Sequence, residues 1–480
     1  MLRETVKGSV YMSLSWFFVK LFSFIYMAFL ARSLGPKGLG ILSIVLSLTP
    51  WFVMFSSLSL QTISTHFISR FRAQKKDLGP LLKSITIIIF LSGLAASLLH
   101  FFLAPFIARF IFHDASLTRY FQIASLLIFL SVFYYGFIGV LRGFKRFRDY
   151  ALLDVIKEAS VVALGFFFVV LLDLSIFGAL LALILSYTVL FFFNPAKGVR
   201  ILKSRALPLK PIIYSSLWFT LVGFILSLIT NMDRFILGFL QSKETVGLYA
   251  GAMSIFHVGT FFSSSVKNSM LPILSEHFAH TPSLQNPIFV RYINKIMSYS
   301  ILVAGFFMFF VIGFRNELIL LFFGKHYQGT ETYTVLLLFA LTFFSTYLFA
   351  HTLIISLNRL KSATLMCFFA FILSSVCIYF LTRLFGASGT AYGFILSFLL
   401  LNAGYYGFIL RDLPFHWTRQ FFLISLTLGI AYLLTTISGS LFFRIIVVGF
   451  SSLLYLFFLW MGNYLEKREL EVIFKRFFFR

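Results

Sequence analysis

Long apolar stretches separated by short polar turns run along almost the whole chain. Segmentation at Gly, Pro and charge clusters gives fourteen stretches, each near the roughly 20 apolar residues that a membrane-spanning helix needs. The predicted spans are 9–31, 39–62, 81–104, 117–140, 151–172, 175–195, 211–231, 246–268, 293–314, 332–355, 362–382, 388–410, 419–438 and 441–463. The pattern predicts an all-α polytopic membrane protein with about 14 transmembrane helices.

The composition excludes most other classes of protein. Of the 480 residues, 60% are hydrophobic and 12% are charged, whereas about 25% charged residues is usual in soluble proteins. A disordered chain, a disulfide scaffold and an ordinary soluble enzyme are therefore excluded.

Cys367 and Cys377 lie about 15 Å apart along one predicted helix, too far for a disulfide. The apolar run after Arg3 and Lys7 is too long for a signal peptide and lacks a clean cleavage site, so we expect a retained first helix.

The basic charge of the chain follows the predicted topology. The net charge is +24, but no nucleic-acid-binding module is visible, so we expect no nucleic-acid partner. If both termini lie in the cytoplasm, the cytoplasmic loops and termini hold 28 of the 40 Lys and Arg, the outer loops 10 and the spans 2. This distribution fits the positive-inside rule. It predicts a multi-pass protein of a bacterial or archaeal cytoplasmic membrane with both termini in the cytoplasm.

Short segments of the first half recur in the second half. Three pairs are similar at offsets of 207, 216 and 211 residues: 37–41 with 245–248, 141–145 with 357–361, and 177–186 with 389–397. Independent convergence of Gly-rich turns is the alternative explanation. Because six spans is an even number, two six-helix lobes would share one orientation, as in parallel transporter repeats. We expect an N-terminal lobe at 1–205, a pseudo-symmetric C-terminal lobe at 206–412, and two additional helices with a basic cytoplasmic tail at 413–480.

The turns between the spans resemble those of a known family. The sequence ARSLGP at 31–36, followed by Gly38 and Gly40, resembles the A-R-x-L-G-P-x-x-x-G turn of Wzx-like polysaccharide-biosynthesis flippases. NMDRFILG at 231–238 with VGLY at 246–249 resembles their D-R-x-x-L-G…V-G-x-Y signature, and the loop around Leu141-Arg142-Gly143 is similar to their first-lobe cytoplasmic loop. FGASGTA at 385–391 resembles Y-G-x-x-G-A-A, with Phe and Thr in place of the usual Tyr and Ala.

This resemblance to the oligosaccharide-flippase branch of the MATE-like MOP superfamily implies a function. Such a protein moves a polyprenyl-diphosphate-linked oligosaccharide across the cytoplasmic membrane for surface polysaccharide synthesis, by alternating access and without hydrolysis. The implied partners are that lipid, membrane lipids, and a polysaccharide polymerase with glycosyltransferases. A peptidoglycan lipid-precursor flippase and a MATE-like multidrug exporter are the alternatives. A membrane glycosyltransferase or ligase is disfavoured because no long outer loop is present, and a scaffold because it has no need of charges within spans.

Charges inside predicted spans are the first candidates for substrate contacts. Lys20 lies at the midpoint of span 1, where a charge costs about 2.5–3.5 kcal/mol on insertion scales. A hydrated cavity would relieve that cost, and a diphosphate crossing the membrane needs a cation to replace its lost hydration. We therefore predict that Lys20 binds substrate. Pairing with a carboxylate of a neighbouring helix is the structural alternative.

A second group of charges begins span 5. Asp154, Lys157 and Glu158 are spaced i, i+3 and i+4, which places them on one helix face. Two carboxylates and one ammonium carry a net charge of −1, so Asp154 and Glu158 are candidates for binding a coupling proton or Na⁺. Lys157 is a candidate phosphate contact at the end where substrate loads. A self-neutralised interfacial triad with Lys157 snorkelling is the alternative.

The end of span 7 supplies the remaining candidates. Arg234 is suited to bidentate phosphate binding, and Asn231, three residues earlier, would line the same face. Asp233 and Arg234 are adjacent and diverge by about 100° on a helix, so we expect them to have different partners. We expect Arg32 to hold backbone carbonyls at a turn.

The histidines within spans lack metal-ligand spacing, and no P-loop, zinc motif or nucleophile–base arrangement is visible, so we expect no enzyme, metal or cofactor.

Overall fold

The computed structural model describes residues 2–193, 205–280, 287–357, 359–411, 417–437 and 439–461. Over these ranges the chain is helical and contains no strand, which confirms the predicted all-α class. The α-helices are α1 (Leu2–Ser56), α2 (Leu60–Ala73), α3 (Gly79–Phe106), α4 (Thr118–Gly143), α5 (Phe147–Gly165), α6 (Ser175–Leu185), α7 (Leu209–Leu240), α8 (Lys243–His280), α9 (Pro287–Gly313), α10 (Arg315–Phe322), α11 (Thr330–Ser356), α12 (Leu360–Gly404), α13 (Trp417–Thr435) and α14 (Leu441–Met461).

Two of these helices each provide two predicted spans. α1 is broken at Gly35, with φ 65° and ψ 179°, into an N-arm (residues 2–34) and a C-arm (residues 36–56). α12 is broken in the same way at Gly386, with φ 59° and ψ −139°. With both helices divided and the short helices α2 and α10 set aside, a helical segment lies at each of the fourteen predicted spans.

Hydropathy supports a membrane location for most of this bundle. Nine helical stretches of the described residues are long and apolar enough to cross a membrane, and two of them, Leu14–Arg72 and Lys361–Phe408, contain the breaks at Gly35 and Gly386. The segments predicted as spans 5, 6 and 8 are helical but lie outside these nine stretches. α5 contains several charged residues, and α6 has only 11 residues before it tightens into a 3-10 segment, Ser186–Phe192.

Three details differ from the sequence prediction. Predicted span 2 does not continue unbroken to residue 62, because Leu58 and Ser59 adopt left-handed backbone conformations between α1 and α2. The connection predicted for 271–292 is mostly helical, since α8 continues to His280 and α9 begins at Pro287. The basic tail beyond residue 461 and most of the basic connection at 194–204 lie outside the described residues.

Equivalent glycines of the predicted repeat make equivalent contacts. A methyl group at Gly178 in α6 would lie 2.9 Å from the carbonyl oxygen of Phe168, and one at Gly389 in α12 would collide with that of Leu381. Only a residue without Cβ allows these helices to approach the preceding segment so closely. The offsets, 211 residues for the glycines and 213 for the carbonyls, match the predicted repeat.

The two C-terminal helices attach to the bundle through polar contacts. Gln420 of α13 donates to the carbonyl oxygen of Asn294 in α9 at 3.1 Å. Thr427 and Tyr455 form a 2.7 Å hydrogen bond between α13 and α14. Buried polar groups in an apolar environment need such partners, so these contacts fix the positions of α13 and α14 beside α9.

Replacing Gly35 by Ala should destabilise the protein through the backbone alone. The φ/ψ values of Gly35 lie in a region almost restricted to Gly, where another residue costs about 1–3 kcal/mol, and no atom would touch an added methyl. We expect a lower midpoint of thermal unfolding in detergent for Gly35→Ala. Gly429→Ala is the matched control, because Gly429 lies inside α13 with open space around it. Equal midpoints for the two variants would contradict this explanation of the break.

Candidate functional site

Both arms of α1 pack against helices of the second half of the chain. In the N-arm, the ring of Phe17 lies 5.6 Å from that of Phe261 in α8. In the C-arm, the indole of Trp51 donates to the carbonyl oxygen of Ser227 in α7 at 3.1 Å and packs against Phe235 with ring centroids 5.0 Å apart. The N-arm, the C-arm, α7 and α8 therefore surround the centre of the molecule.

A cavity of about 240 Å³ lies between these four segments. Its lining includes two cationic side chains, a histidine and three serine hydroxyls among apolar residues: Lys20, Ser23, Phe24, Met27, Ser43, Arg234, Ala250, Met253, Ser254, His257 and Val258. Among the described residues, no carboxylate lines this cavity. Two positive charges beside a cavity of low dielectric favour an anionic ligand.

Arg234 is held in place from its own helix. Its guanidinium donates to Asn231 Oδ1, while Asn231 Nδ2 donates to the carbonyl oxygen of Ser227 at 2.9 Å. Asp233 is fully buried and accepts a 3.1 Å hydrogen bond from the hydroxyl of Tyr249. Asp233 Oδ1 lies 3.9 Å from Arg234 Nε. As expected from their adjacent positions, the two residues have different main partners, and only Arg234 lines the cavity.

Asp154, Lys157 and Glu158 form a separate polar cluster inside the N-terminal half. Lys157 donates to Glu158 at 2.6 Å, and its ammonium lies 5.6 and 5.2 Å from the ring centroids of Tyr134 and Tyr187. Tyr134 donates its hydroxyl to Asp154. Cation–π contacts and an ion pair together stabilise a charge removed from water. Lys157 thus points into an aromatic enclosure and not into the cavity.

Glu158 connects the two groups electrostatically. It lies close enough to Lys20 for their charges to attract each other, and Lys20 and Arg234 both act on His257. The charge of Glu158 therefore acts on a lysine that lines the cavity. Of the six predicted site residues, Lys20 and Arg234 share the cavity, Asn231 orients Arg234, and Asp154, Lys157 and Glu158 lie behind the N-arm.

The two halves approach each other most closely at the predicted outer end of the bundle. A methyl group at Gly40 would collide with the carbonyl of Lys243, and one at Gly247 would collide with that of Pro36. Gly40 and Gly247 are equivalent in the predicted repeat, with an offset of 207 residues. Because two equivalent residues can meet only near an axis that relates them, this contact fits an axis passing between the C-arm and α8.

Polar contacts reinforce this closure. Lys243 forms an ion pair with Asp114, whose side chain also accepts from the backbone N–H of Ser116 at 2.8 Å. Arg32 donates to the carbonyl oxygen of Phe322 at 3.1 Å and also to that of Leu321, at the end of α10. The expectation that Arg32 holds backbone carbonyls is confirmed. Both contacts join the first half of the chain to the second.

The histidines and cysteines have structural surroundings. His100 is buried with its Nδ1 3.1 Å from Ser125 Oγ, and His351 is buried with its Nδ1 3.3 Å from Tyr405 Oη. Cys367 and Cys377 are free thiols. In the part of the chain that the structure describes, no group of three His, Cys, Asp or Glu side chains is placed to hold a metal ion.

Sequence reasoning missed much of the cavity lining. Ser23, Phe24 and Met27 follow Lys20 at i+3, i+4 and i+7, so helical periodicity would have found them once Lys20 was taken as facing a cavity. No sequence pattern predicts that Ser43 and the α8 residues line the cavity. Whether their side chains face it depends on how the two halves of the chain pack together. The pairing of Asp114 with Lys243 joins residues 129 positions apart, which no local pattern encodes.

The fold is similar to that of solved helical transporters, two of which are described as members of the MOP superfamily. The structure is similar to one described as lipid II flippase MurJ in an inward closed conformation, with a TM-score of 0.73, 15% identity, and 98% of this chain and 99% of that chain covered. It is also similar to an inward-facing multidrug resistance MATE family transporter, with a TM-score of 0.66, 14% identity, and coverage of 86% and 96%.

A third similar structure is a MOP superfamily transporter from Pyrococcus furiosus whose description states that the reversed polarity of its binding pocket suggests a different function. Its TM-score is 0.60 at 14% identity, over 84% of this chain and 95% of that one. At the sequence level, the chain belongs to the polysaccharide biosynthesis protein family, whose model matches residues 5–278. No curated protein matches the sequence.

The ion pair between Asp114 and Lys243 should hold the predicted outer end closed over a wide pH range. Hydrogen bonds from Lys243 and Ser116 lower the pKa of the Asp114 carboxyl to about 2. A carboxylate with a lowered pKa contributes above its unperturbed pKa near 3.8 and loses that contribution only as the pH falls through about 2. A cysteine introduced at Ser43, which is buried and lines the cavity, should therefore react with a water-soluble maleimide added from outside at a rate that, divided by the rate for a free thiol at the same pH, is constant between about pH 4 and 8.

Two variants complete that experiment. Asp114→Asn should raise the labelling rate of the introduced cysteine, and Asp114→Lys combined with Lys243→Asp should restore the slow rate. Glu331→Gln is the matched control, because Glu331 lies in the first turn of α11, where it accepts a hydrogen bond from the backbone N–H of Gly329. Fast labelling in the charge-swapped protein would refute a role for the ion pair.

Proposed function

We propose that this protein is a flippase that moves a polyprenyl-diphosphate-linked oligosaccharide across the cytoplasmic membrane for surface polysaccharide synthesis. The observation that carries the proposal is the cavity whose described lining includes Lys20, Arg234 and His257 and no carboxylate. A diphosphate needs concentrated positive charge to replace its hydration inside a bilayer, and Arg and Lys supply it. Membership of the polysaccharide biosynthesis protein family supports the sugar-linked nature of the cargo.

The cavity also weighs against a multidrug exporter of organic cations. Two cationic side chains would repel such a cargo, and the described lining of the cavity holds no carboxylate to attract it. A peptidoglycan lipid precursor carries the same diphosphate, so it remains the alternative substrate. Family membership favours the polysaccharide precursor over it.

Alternating access follows from the way the halves meet. The close contact of Gly40 with Lys243 and of Gly247 with Pro36 closes the predicted outer end. Separation of these backbones, with breakage of the ion pair between Asp114 and Lys243, would expose Lys20 and Arg234 to the outer side. The diphosphate would enter from the cytoplasmic side, neutralise the two cations, and leave when the outer end opens, while the hydrocarbon tail stays in the lipid.

The cluster around Asp154 and Glu158 is the proposed site of ion coupling. A carboxylate buried beside a tyrosine and near a lysine can exchange a proton or bind Na⁺ as its surroundings change. The positions 213 residues later, Tyr347 and Cys367, match Tyr134 and Asp154 but hold no charge; there Cys367 lies 3.0 Å from the hydroxyl of Tyr405. The proposed coupling site therefore lies in the N-terminal half. Glu158 would relay it to the cavity through Lys20.

The cellular setting follows from the same proposal. The predominance of Lys and Arg in one set of loops supports the proposal that both termini lie in the cytoplasm of a bacterial or archaeal cell. Glycosyltransferases would supply the lipid-linked oligosaccharide on that side, and a polymerase would use it on the other. The proposed transport breaks no covalent bond of the substrate, so it needs neither a cofactor nor catalytic residues.

Removing either cavity cation should abolish most transport. In proteoliposomes with a fluorescent sugar-diphosphate polyprenol, we expect Lys20→Ala and Arg234→Ala to lower the flipping rate about tenfold or more, since each removes a charged hydrogen-bond partner worth roughly 1.5–3 kcal/mol. Lys210→Ala and Arg383→Ala are matched controls at exposed positions. Unchanged flipping in the cavity variants, or transport of a cationic dye by the wild type, would contradict the proposal.

Neutralising the α5 carboxylates should uncouple transport from an ion gradient. We expect Asp154→Asn and Glu158→Gln to abolish the acceleration of flipping by an imposed proton or Na⁺ gradient, while flipping without a gradient continues. Asp173→Asn is the matched control, because Asp173 is exposed at the turn between α5 and α6. If both α5 variants respond to the gradient as the wild type does, this cluster is not the coupling site.

A further inference from the structure

His257 differs from the other polar groups that line the cationic cavity. Histidine is the residue whose charge changes most readily near neutral pH, whereas the other described lining residues keep one charge there. His257 is half-buried in α8. It shares one helix face with Ala250, Met253, Ser254 and Val258, which also line the cavity. The charge of the cavity therefore depends on whether this imidazole holds a proton.

The packing of α8 against α1 places His257 level with Lys20. The ring of Phe17 in the N-arm lies 5.6 Å from that of Phe261, and α8 approaches the start of the C-arm at Gly247, so the two helices run in opposite directions. One turn from Phe17 toward Gly247 lies Lys20, and one turn from Phe261 in the same direction lies His257. A phosphate bound by Lys20 in this cavity would therefore meet His257 as well.

The imidazole of His257 has no competing hydrogen bond among the described residues. The buried His100 and His351, in contrast, contact a serine and a tyrosine hydroxyl through Nδ1. Lys20 from the N-arm and Arg234 from α7 are the charged side chains of the described residues that act on His257. A third positive charge beside two others is unfavourable. The imidazole is therefore neutral unless a further negative charge enters the cavity.

Lipid diphosphates with and without a sugar differ in charge. When a sugar caps the diphosphate, each phosphate has a single ionisable oxygen and carries one negative charge. When the sugar is absent, the terminal phosphate has a second ionisation near pH 6 and carries roughly −1.5 to −2 at neutral pH. Lys20 and Arg234 together balance the capped form. The uncapped form leaves about one negative charge without a partner.

Resting on the proposed function, we propose that His257 is a specificity-determining residue that makes the cavity select the sugar-capped diphosphate over the uncapped carrier. A neutral imidazole can donate a hydrogen bond to the capped form without changing its charge. The uncapped form requires His257 to take up a proton from water, and this requirement lowers its affinity as the pH rises. The flippase would thus move the finished precursor and leave the uncapped carrier on its own side of the membrane.

Fixing the charge at position 257 tests this selectivity. Geranyl diphosphate and geranyl-diphospho-N-acetylglucosamine serve as the uncapped and capped probes, and each is titrated into the protein in lipid nanodiscs at about pH 7.5. We expect His257→Lys to raise the affinity for the uncapped probe about tenfold relative to that for the capped probe, because a permanent third cation completes the charge balance. His257→Gln, which stays neutral, should favour the capped probe at least as strongly as the wild type does.

His66→Lys is the matched control for the added charge. His66 is exposed on α2 and does not line the cavity, so its replacement should keep the wild-type ratio of the two affinities. Retained binding of the capped probe by His257→Lys would show that this variant is folded.

Proton uptake on binding gives a readout that a purely structural role would not change. Calorimetry in two buffers of different ionisation enthalpy gives the number of protons taken up with each probe. We expect the wild type to take up a proton with the uncapped probe that His257→Gln does not take up. The two proteins should agree for the capped probe. This comparison needs no added charge, so it decides the question if His257→Lys fails to fold.

The outcomes separate the two proposals. If the wild type binds neither probe, the proposed function fails and the inference fails with it. If the wild type binds the capped probe but a folded His257→Lys keeps the wild-type ratio of affinities, the function stands and His257 does not select the cargo. Equal proton uptake by the wild type and His257→Gln with the uncapped probe would overturn the inference in the same way.

Discussion

Positive charge enclosed by apolar helices is the constraint on which the rest of this structure depends. Lys20 and Arg234 face one cavity whose described lining contains no carboxylate. Removing such charges from water costs several kcal/mol each unless other groups compensate. Asn231 orients Arg234, Glu158 attracts Lys20, and Asp233 is turned toward Tyr249. These groups compensate the two cations only in part, and an anionic ligand between Lys20 and Arg234 would add to that compensation.

The positions of these charged residues depend on the shape of the fold. α1 contributes Lys20 and Ser43 from its two arms, and the break at Gly35 lets one helix contact both α7 and α8. Close backbone packing at Gly40 and Gly247 then closes one end of the same cavity. A change in the angle between the halves would alter access to the charges, so binding and conformational change involve the same residues.

Periodicity and charge in the sequence predict the helices but not how they pack. A helical segment was predictable at each of the fourteen positions, since each apolar run is long and its ends carry Gly, Pro or charged residues. The contact of Arg32 with carbonyls was also predictable, because a conserved helix geometry leaves the last carbonyls free. The ion pair of Asp114 with Lys243 and the aromatic enclosure of Lys157 depend on contacts between distant segments, which local patterns do not encode. The break at Leu58 and Ser59 has no Gly or Pro to mark it.

The most direct test is a cryo-electron microscopy structure of the protein in lipid nanodiscs with a sugar-diphosphate polyprenol. Our account predicts density for both phosphates between Lys20 Nζ and the guanidinium of Arg234, within hydrogen-bonding distance of each. Phosphate density on the membrane surface alone, with water filling the space beside Lys20 and Arg234, would contradict the account.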